Sequence, residues 1–390
     1  MSEYLGRENK VAVNGTTIFI ILLLSILSGL RGEMGVDYHA YKNAFESIPS
    51  IYSYLFKGEG ELFRLINYFE PLYIIIISIF KMFLSNYNIF LFVQSLILLL
   101  IVVRSVKMLD VPVNIGLIFY FFISYLDQFG QQRMAIIYVL CLFATTFIVQ
   151  RKFLKFLFTI IIASFIQKIA IFYLPAYFLY IFLNKKTNSK SIITSTKNLF
   201  KRPILKKHYK GNIYEPEIIQ LRVLTGIILL ILSIFINIKY NIANLLLENI
   251  ESFAMGNPIV NVYASNFISY YSKMEVERNI FGALGGISIY LLIISFLYIY
   301  RKRWFNINTV PIFLNFVFGV ILFILLYDFP KLSGRIIDLY SYPAYVFIFG
   351  IIASQKEKPI NTLPVIFLFI MYFFIRTIIT ETGPYVFLSF

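Results

Sequence analysis

The stretch Asn88–Val103, NIFLFVQSLILLLIVV, carries no charged side chain, and its only polar ones are Asn88, Gln94 and Ser95. In lipid, an unpaired backbone N–H or C=O is costly, so a segment of this kind satisfies its own backbone as a helix. Tyr87 and Asn86 before it can extend it toward the roughly 20 residues that a span needs. Similar apolar runs occur at 16–30, 71–84, 112–126, 134–150, 153–166, 169–183, 223–238, 281–300, 310–327, 341–354 and 362–379. Turn chemistry separates them at Asn86-Tyr87-Asn88, Asp110 to Pro112, Gln167-Lys168, Phe329-Pro330 and Lys358-Pro359. The chain is 59% hydrophobic and only 14% charged, against roughly 25% charged in a soluble domain. The expected fold is therefore an all-α polytopic membrane protein of about 11–12 transmembrane helices, forming a single integral membrane domain over 1–390.

Net charge is +15, which by itself suggests nucleic acid. Its distribution argues against that partner. Ten of the 35 Lys and Arg fall between Lys185 and Arg222, in a loop flanked by apolar segments. This 184–222 loop reads as a topogenic cytoplasmic loop that also meets anionic lipid heads. The lone Cys141 has no disulfide partner in the chain, no Cys/His cluster marks a metal site, and no cofactor is expected. Residues 1–15 are polar, and the first apolar run reads as a retained signal-anchor.

Basic loops fix most of the orientation. Arg104/Lys107, Arg151/Lys152/Lys155, the 184–222 loop, Arg301/Lys302/Arg303 and Lys356/Lys358 fall on one side if 153–166 and 169–183 form a hairpin. The loops at 127–133, 167–168, 239–280 and 328–340 then face the other side. Two complete spans at 71–84 and 88–103 would break this alternation. Either 71–84 is re-entrant, or a further weak span lies within 41–56, or the N-terminus is outside; an irregular segment between 40 and 85 is the favoured reading. The external 239–280 loop has apolar residues Ile242, Leu245, Leu246, Ile250 and Phe253 at helical spacing, which predicts an amphipathic helix on the membrane. A second helix there, from Asn257-Pro258, carries an aromatic face that packs as a lid or stacks sugar rings.

Arginines on the outward side are the candidate chemistry. A charge beside the bilayer is costly and asks for a function, and guanidinium pairs bidentately with phosphate. Arg31 opens the segment RGEMGVDYHAY (31–41), where Gly32 and Gly35 permit sharp turns and Asp37 follows as a proton acceptor, a sugar-orienting group or a structural partner of Arg31. Tyr38 and His39 are further contacts, His39 being an alternative base or plain polar surface. Gln132 and Arg133 open the run at 134–150, where a cation opposes the helix dipole; a bound anion or snorkelling to lipid phosphate explains it. Arg335, with Asp338 nearby, repeats this pattern before 341–354. Glu70-Pro71 caps the suspected re-entrant segment, Lys168 sits at a hairpin tip, and Arg278 follows Glu275 and Glu277, where local salt bridging competes with ligand binding.

The order of these elements carries a resemblance. R-G-x-x-G-x-D-Y-x-x-Y after the first span, E-P before the second, Q-x-R leading a middle span and a late outward arginine look like the EpsG/Wzy-type bacterial polysaccharide (O-antigen) polymerases. The resemblance covers roughly 16–180 and the region of Arg335. Where that family often has His followed by Ser or Thr, this chain has Gln167-Lys168, which makes Lys168 a substitute. The resemblance implies a glycosyltransferase of the bacterial inner membrane that joins undecaprenyl-diphosphate-linked oligosaccharides en bloc, with membrane lipids around it and a chain-length regulator as partner. Arg31, Arg133 and Arg335 would hold the diphosphate and Asp37 would take the proton; Gln132, Lys168, Arg278, His39, Asp338 and Tyr38 would contact substrate. The alternatives are an O-antigen ligase, a glycosyltransferase using polyprenyl-phosphate sugars, or a lipid-linked oligosaccharide flippase. The flippase would need polar groups at mid-span, which these runs largely lack.

Overall fold

A computed structural model of the chain describes residues 10–35, 37–57, 69–184, 216–240, 280–299, 309–327 and 329–354. Residues 185–215 of the basic loop, the external loop at 241–279 with Arg278 and its two expected helices, and the run 362–379 lie outside the described residues. Every described regular element is helical. Among the described residues three helices are long and apolar enough to cross a membrane: Tyr87–Met108, Gln132–Val149 and Leu332–Ile352. Shorter apolar helices, such as Val113–Tyr125, Phe153–Ile166 and Thr309–Leu325, accompany them.

α1 (Lys10–Leu30) packs against α4 (Tyr87–Met108). The end of α1 meets the first turns of α4, because a Cβ on Gly29 would lie 3.0 Å from the Phe92 Cβ and 3.1 Å from the Asn88 carbonyl oxygen. The two helices are thus antiparallel. Asn86 caps α4, its side chain accepting from the Ile89 N–H at 3.1 Å. Between them the described residues form α2 (Tyr38–Ser47), a π-turn at Ser53–Lys57 and α3 (Pro71–Phe80). Ten residues make about 15 Å of helix against a hydrocarbon core of about 30 Å. Neither short helix crosses. The irregular segment between 40 and 85 is therefore real: α3 ends at Phe80 rather than 84, and Lys81 follows with its Nζ donating to the carbonyls of Phe45, Glu46 and Ile48 at 3.0, 3.1 and 2.5 Å. That one ammonium ties the turn after α3 to the end of α2, where a helix dipole favours a cation.

α5 (Val113–Tyr120) runs into a π-turn at Phe121–Tyr125 and then α6 (Asp127–Gly130), a single turn leading to α7 (Gln132–Val149). α7 is a central helix: 78% of its span window is buried, against 50% for α4. α8 (Phe153–Ile166) and α9 (Pro175–Asn184) form the expected hairpin, joined by a 3-10 turn at Lys168–Tyr173. The 169–183 run is one apolar helix, Lys168–Phe182, whose first turns are 3-10. Pro175, which has no N–H to give the preceding turn, opens its α-helical part. Then come α10 (Pro216–Tyr240), α11 (Ile280–Ile299), α12 (Thr309–Leu325) and α13 (Pro330–Ala344), which continues through a π-turn at Tyr345–Phe349 into α14 (Gly350–Ser354). The span expected at 341–354 begins eleven residues earlier, at Pro330. Proline suits the first helical turn, and Leu332, Ile336, Ile337, Leu339 and Tyr340 are buried between the polar positions. Arg335 and Asp338 therefore lie within a helix rather than ahead of one.

Candidate functional site

The site lies where α1 ends and α3, α4 and α7 begin. After Leu30 the backbone turns through Gly32 at φ +63° and Gly35 at φ +114°. Gly35 lies so close to the Phe129 carbonyl that any Cβ would overlap it. The loop is thereby pressed onto α6, and Arg31 turns inward. Its side chain is 5% exposed. Nη1 donates to the backbone carbonyl of Gln128. The guanidinium lies over the Phe129 ring at 5.2 Å and the Tyr38 ring at 5.7 Å. Nε and Nη2 have no hydrogen-bond partner among the described residues. Burial lowers the pKa of this group, opposed by the nearby Tyr87 phenol. A buried cation with two idle donors and no ion-pair partner among the described residues can receive an anion.

Arg133 is built differently. Its Nη1 forms an ion pair with Glu70 Oε2. Its Nε donates to the Tyr41 hydroxyl at 3.4 Å, and the guanidinium stacks over Phe69 at 4.7 Å. Glu70 Oε1 also accepts from the backbone N–H of Lys168 at 3.4 Å, which brings the α8–α9 hairpin tip to the same place. Gln132 is fully buried. Its Oε1 accepts from Tyr73 at 3.1 Å, and its Nε2 donates to the Tyr87 hydroxyl at 2.5 Å. Tyr87 in turn packs edge-on against Tyr38, 5.6 Å between centroids, beneath Arg31. Arg31 and Arg133 thus belong to one cluster, joined through Tyr38, Tyr87 and Gln132. The cation at the start of α7 is offset by a protein carboxylate, so that position does not itself require a bound anion.

A second group faces it from α13. Tyr342 donates to Asp127 Oδ2 at 2.7 Å, and Tyr138 donates to Asp338 Oδ2 at 3.4 Å. The two tyrosine rings meet edge-to-face, 4.2 Å apart. Arg335 is half-buried, one turn before Asp338. It lies on α13, which is tied to α6 through Tyr342 and Asp127.

Other expected residues lie apart from the buried cluster. Asp37 is exposed, starts α2 without a side-chain cap bond, and makes no ion pair with Arg31. Across the turns at Gly32 and Gly35, Arg31 is buried and Asp37 is exposed. His39 is exposed, with Nε2 3.7 Å from Glu33 Oε2. The Lys168 side chain is exposed, and its backbone N–H donates to Glu70. Among the described residues no group of three or more His, Cys, Asp or Glu is placed to hold a metal ion. Asp127 went unnoticed in the sequence, because it stands alone between an apolar run and Gln131-Gln132-Arg133. The better signal was Tyr38 and Tyr41, three residues apart on one face of α2, both buried against the arginines.

The EpsG family model matches residues 16–201. The matched stretch contains Arg31, Asp37, Glu70, Asp127, Gln132, Arg133 and Lys168, and it bears out the resemblance carried by the arginine and tyrosine motifs. No curated protein and no solved structure matches the chain.

Proposed function

We propose, taking the EpsG match over residues 16–201 as the premise, that this chain is a polysaccharide polymerase. It would transfer a growing glycan from undecaprenyl diphosphate to a lipid-linked repeat unit at the outer face of the bacterial inner membrane. The observation that carries this reading is Arg31: a buried guanidinium with Nε and Nη2 unpartnered among aromatic rings. A diphosphate supplies what those donors lack. It also gains charge as the glycosidic bond breaks, so a fixed donor pair there stabilises the transition state more than the ground state. Arg133, held by Glu70, is a fixed member of the same cluster. Asp37 and His39 are exposed at the start of α2, where sugar hydroxyls would have access to them.

The sidedness follows from charge. Tyr87 and Gln132 stand at the starts of α4 and α7, whereas Arg104/Lys107 and Arg151/Lys152 stand at their far ends. Basic ends favour the cytoplasm, which puts the cluster outside.

The test is chain growth in a polysaccharide-producing host. Removing the gene should leave surface lipid carrying single repeat units. Arg31→Ala should reproduce that phenotype with the protein still in the membrane. Wild-type chain lengths from Arg31→Ala would overturn the reading, and a lipid core bearing no glycan after gene removal would redirect it to ligation or flipping.

A further inference from the structure

The carboxylate expected to receive a proton, Asp37, is exposed and starts α2 at some remove from the buried donors. A different carboxylate is built into the site. Asp127 is 6% exposed and opens the single turn of α6. The next residue, Gln128, gives its backbone carbonyl to Arg31. α6 thus holds the buried guanidinium, with its two idle donors, by the Gln128 carbonyl, one residue after the buried Asp127. Gln128 points to a ligand as well: it is 1% exposed, its Nε2 donates to Tyr120 at 2.9 Å, and its Oε1 has no partner among the described residues. Idle cationic donors and an idle amide acceptor on adjacent groups match an anion joined to a polyol, not an anion alone.

Asp127 accepts from Tyr342 of α13, whose ring packs edge-to-face on Tyr138, and Tyr138 donates to Asp338. Carboxylates accept from sugar hydroxyls, so two carboxylates joined through these tyrosines have the chemistry to bind a glycan.

Resting on the polymerase reading above, we infer that Asp127 binds and deprotonates the attacking sugar hydroxyl. The hydroxyl oxygen forms the new bond to the anomeric carbon. The bond from that carbon to the diphosphate oxygen breaks, and its electron pair leaves on the diphosphate at Arg31. The proton passes from the hydroxyl to the Asp127 carboxylate, then to the departing diphosphate or to water. General-base assistance of this kind is worth about 10²–10⁴ in rate.

Full-length wild-type, Asp127→Asn, Tyr342→Phe and Arg31→Ala proteins should be purified in detergent. Each is assayed for chain growth on lipid-linked repeat units and for the rise in thermal midpoint caused by undecaprenyl diphosphate. Asp127→Asn can still accept from Tyr342 but is no base; it should fold, keep the ligand-induced rise, and lose chain growth about 100-fold or more. Tyr342→Phe, which removes only the tether, should lose less than about tenfold. Wild-type turnover in Asp127→Asn overturns the inference. So does an Asp127→Asn chain that fails to fold, loses the ligand response, or is no worse than Tyr342→Phe, since each makes the carboxylate a structural pin. Arg31→Ala separates the two levels: if it keeps both chain growth and the ligand response, the polymerase reading itself fails, whatever Asp127→Asn does.

Discussion

Replacing Arg31 with methionine should cost this protein its ligand and little of its fold. Methionine has similar length and fills the space between Phe129 and Tyr38 without a charge. Two opposing sums decide the stability change. Nε and Nη2 are buried and unpartnered, at about 1–3 kcal/mol each, so roughly 2–6 kcal/mol of penalty disappears with the guanidinium. What is lost is the charge-assisted bond to the Gln128 carbonyl, about 1.5–3 kcal/mol, and the two ring contacts, together about 0.5–2 kcal/mol. The sums nearly cancel, and the net change should lie within about 2 kcal/mol of zero. The ligand response should differ sharply. At about 100 times its Kd, undecaprenyl diphosphate should stabilise the wild-type protein by about 2.7 kcal/mol, and Arg31→Met by close to nothing. The assay is thermal unfolding in detergent with and without the lipid. A loss above about 3 kcal/mol in the empty protein would show that Arg31 is a structural residue with satisfied donors. An unchanged ligand response would show that the anion binds elsewhere.

Two further expectations concern the frame around that side chain. Gly35→Ala must move α6 or the loop, because a Cβ meets the Phe129 carbonyl at φ +114°, and should cost about 3 kcal/mol or more along with chain growth; Gly32→Ala, with open space at φ +63°, should cost only about 1–2 kcal/mol, and equal losses in thermal unfolding would contradict the tight approach. Glu70→Gln leaves Arg133 buried without its carboxylate and should destabilise by about 3 kcal/mol, whereas Glu70→Gln combined with Arg133→Met should recover at least half of that in the same measurement.

Much of the fold was legible because hydropathy and charge act over whole segments. The hairpin at Gln167-Lys168 and the irregular passage between 40 and 85 both followed from where the basic loops must lie. The start of α13 was misplaced because Lys331, Ser333, Arg335 and Asp338 break the apolar run. Helical periodicity around Leu332, Ile336 and Leu339, with Pro330 ahead of it, was the stronger cue. The site was legible as a set of arginines, not as a division of labour. Arg31 and Arg133 look alike in sequence, yet one is paired with Glu70 and the other with no carboxylate. Only the close approach of Gly35 to Phe129 decides which way Arg31 turns, and Asp37 beyond it is exposed. Asp127 gave no pattern at all, since its partner Tyr342 lies 215 residues further along the chain.

That long-range tether joins the two halves of the chain. α6 is held from one side by the loop that follows α1, within the stretch matched to the family, and from the other by a phenol on α13, beyond it. On the polymerase reading proposed above, a substitution in α13 would act on the Arg31 site through that single turn of backbone, so the distal half would alter what the matched half binds without touching it.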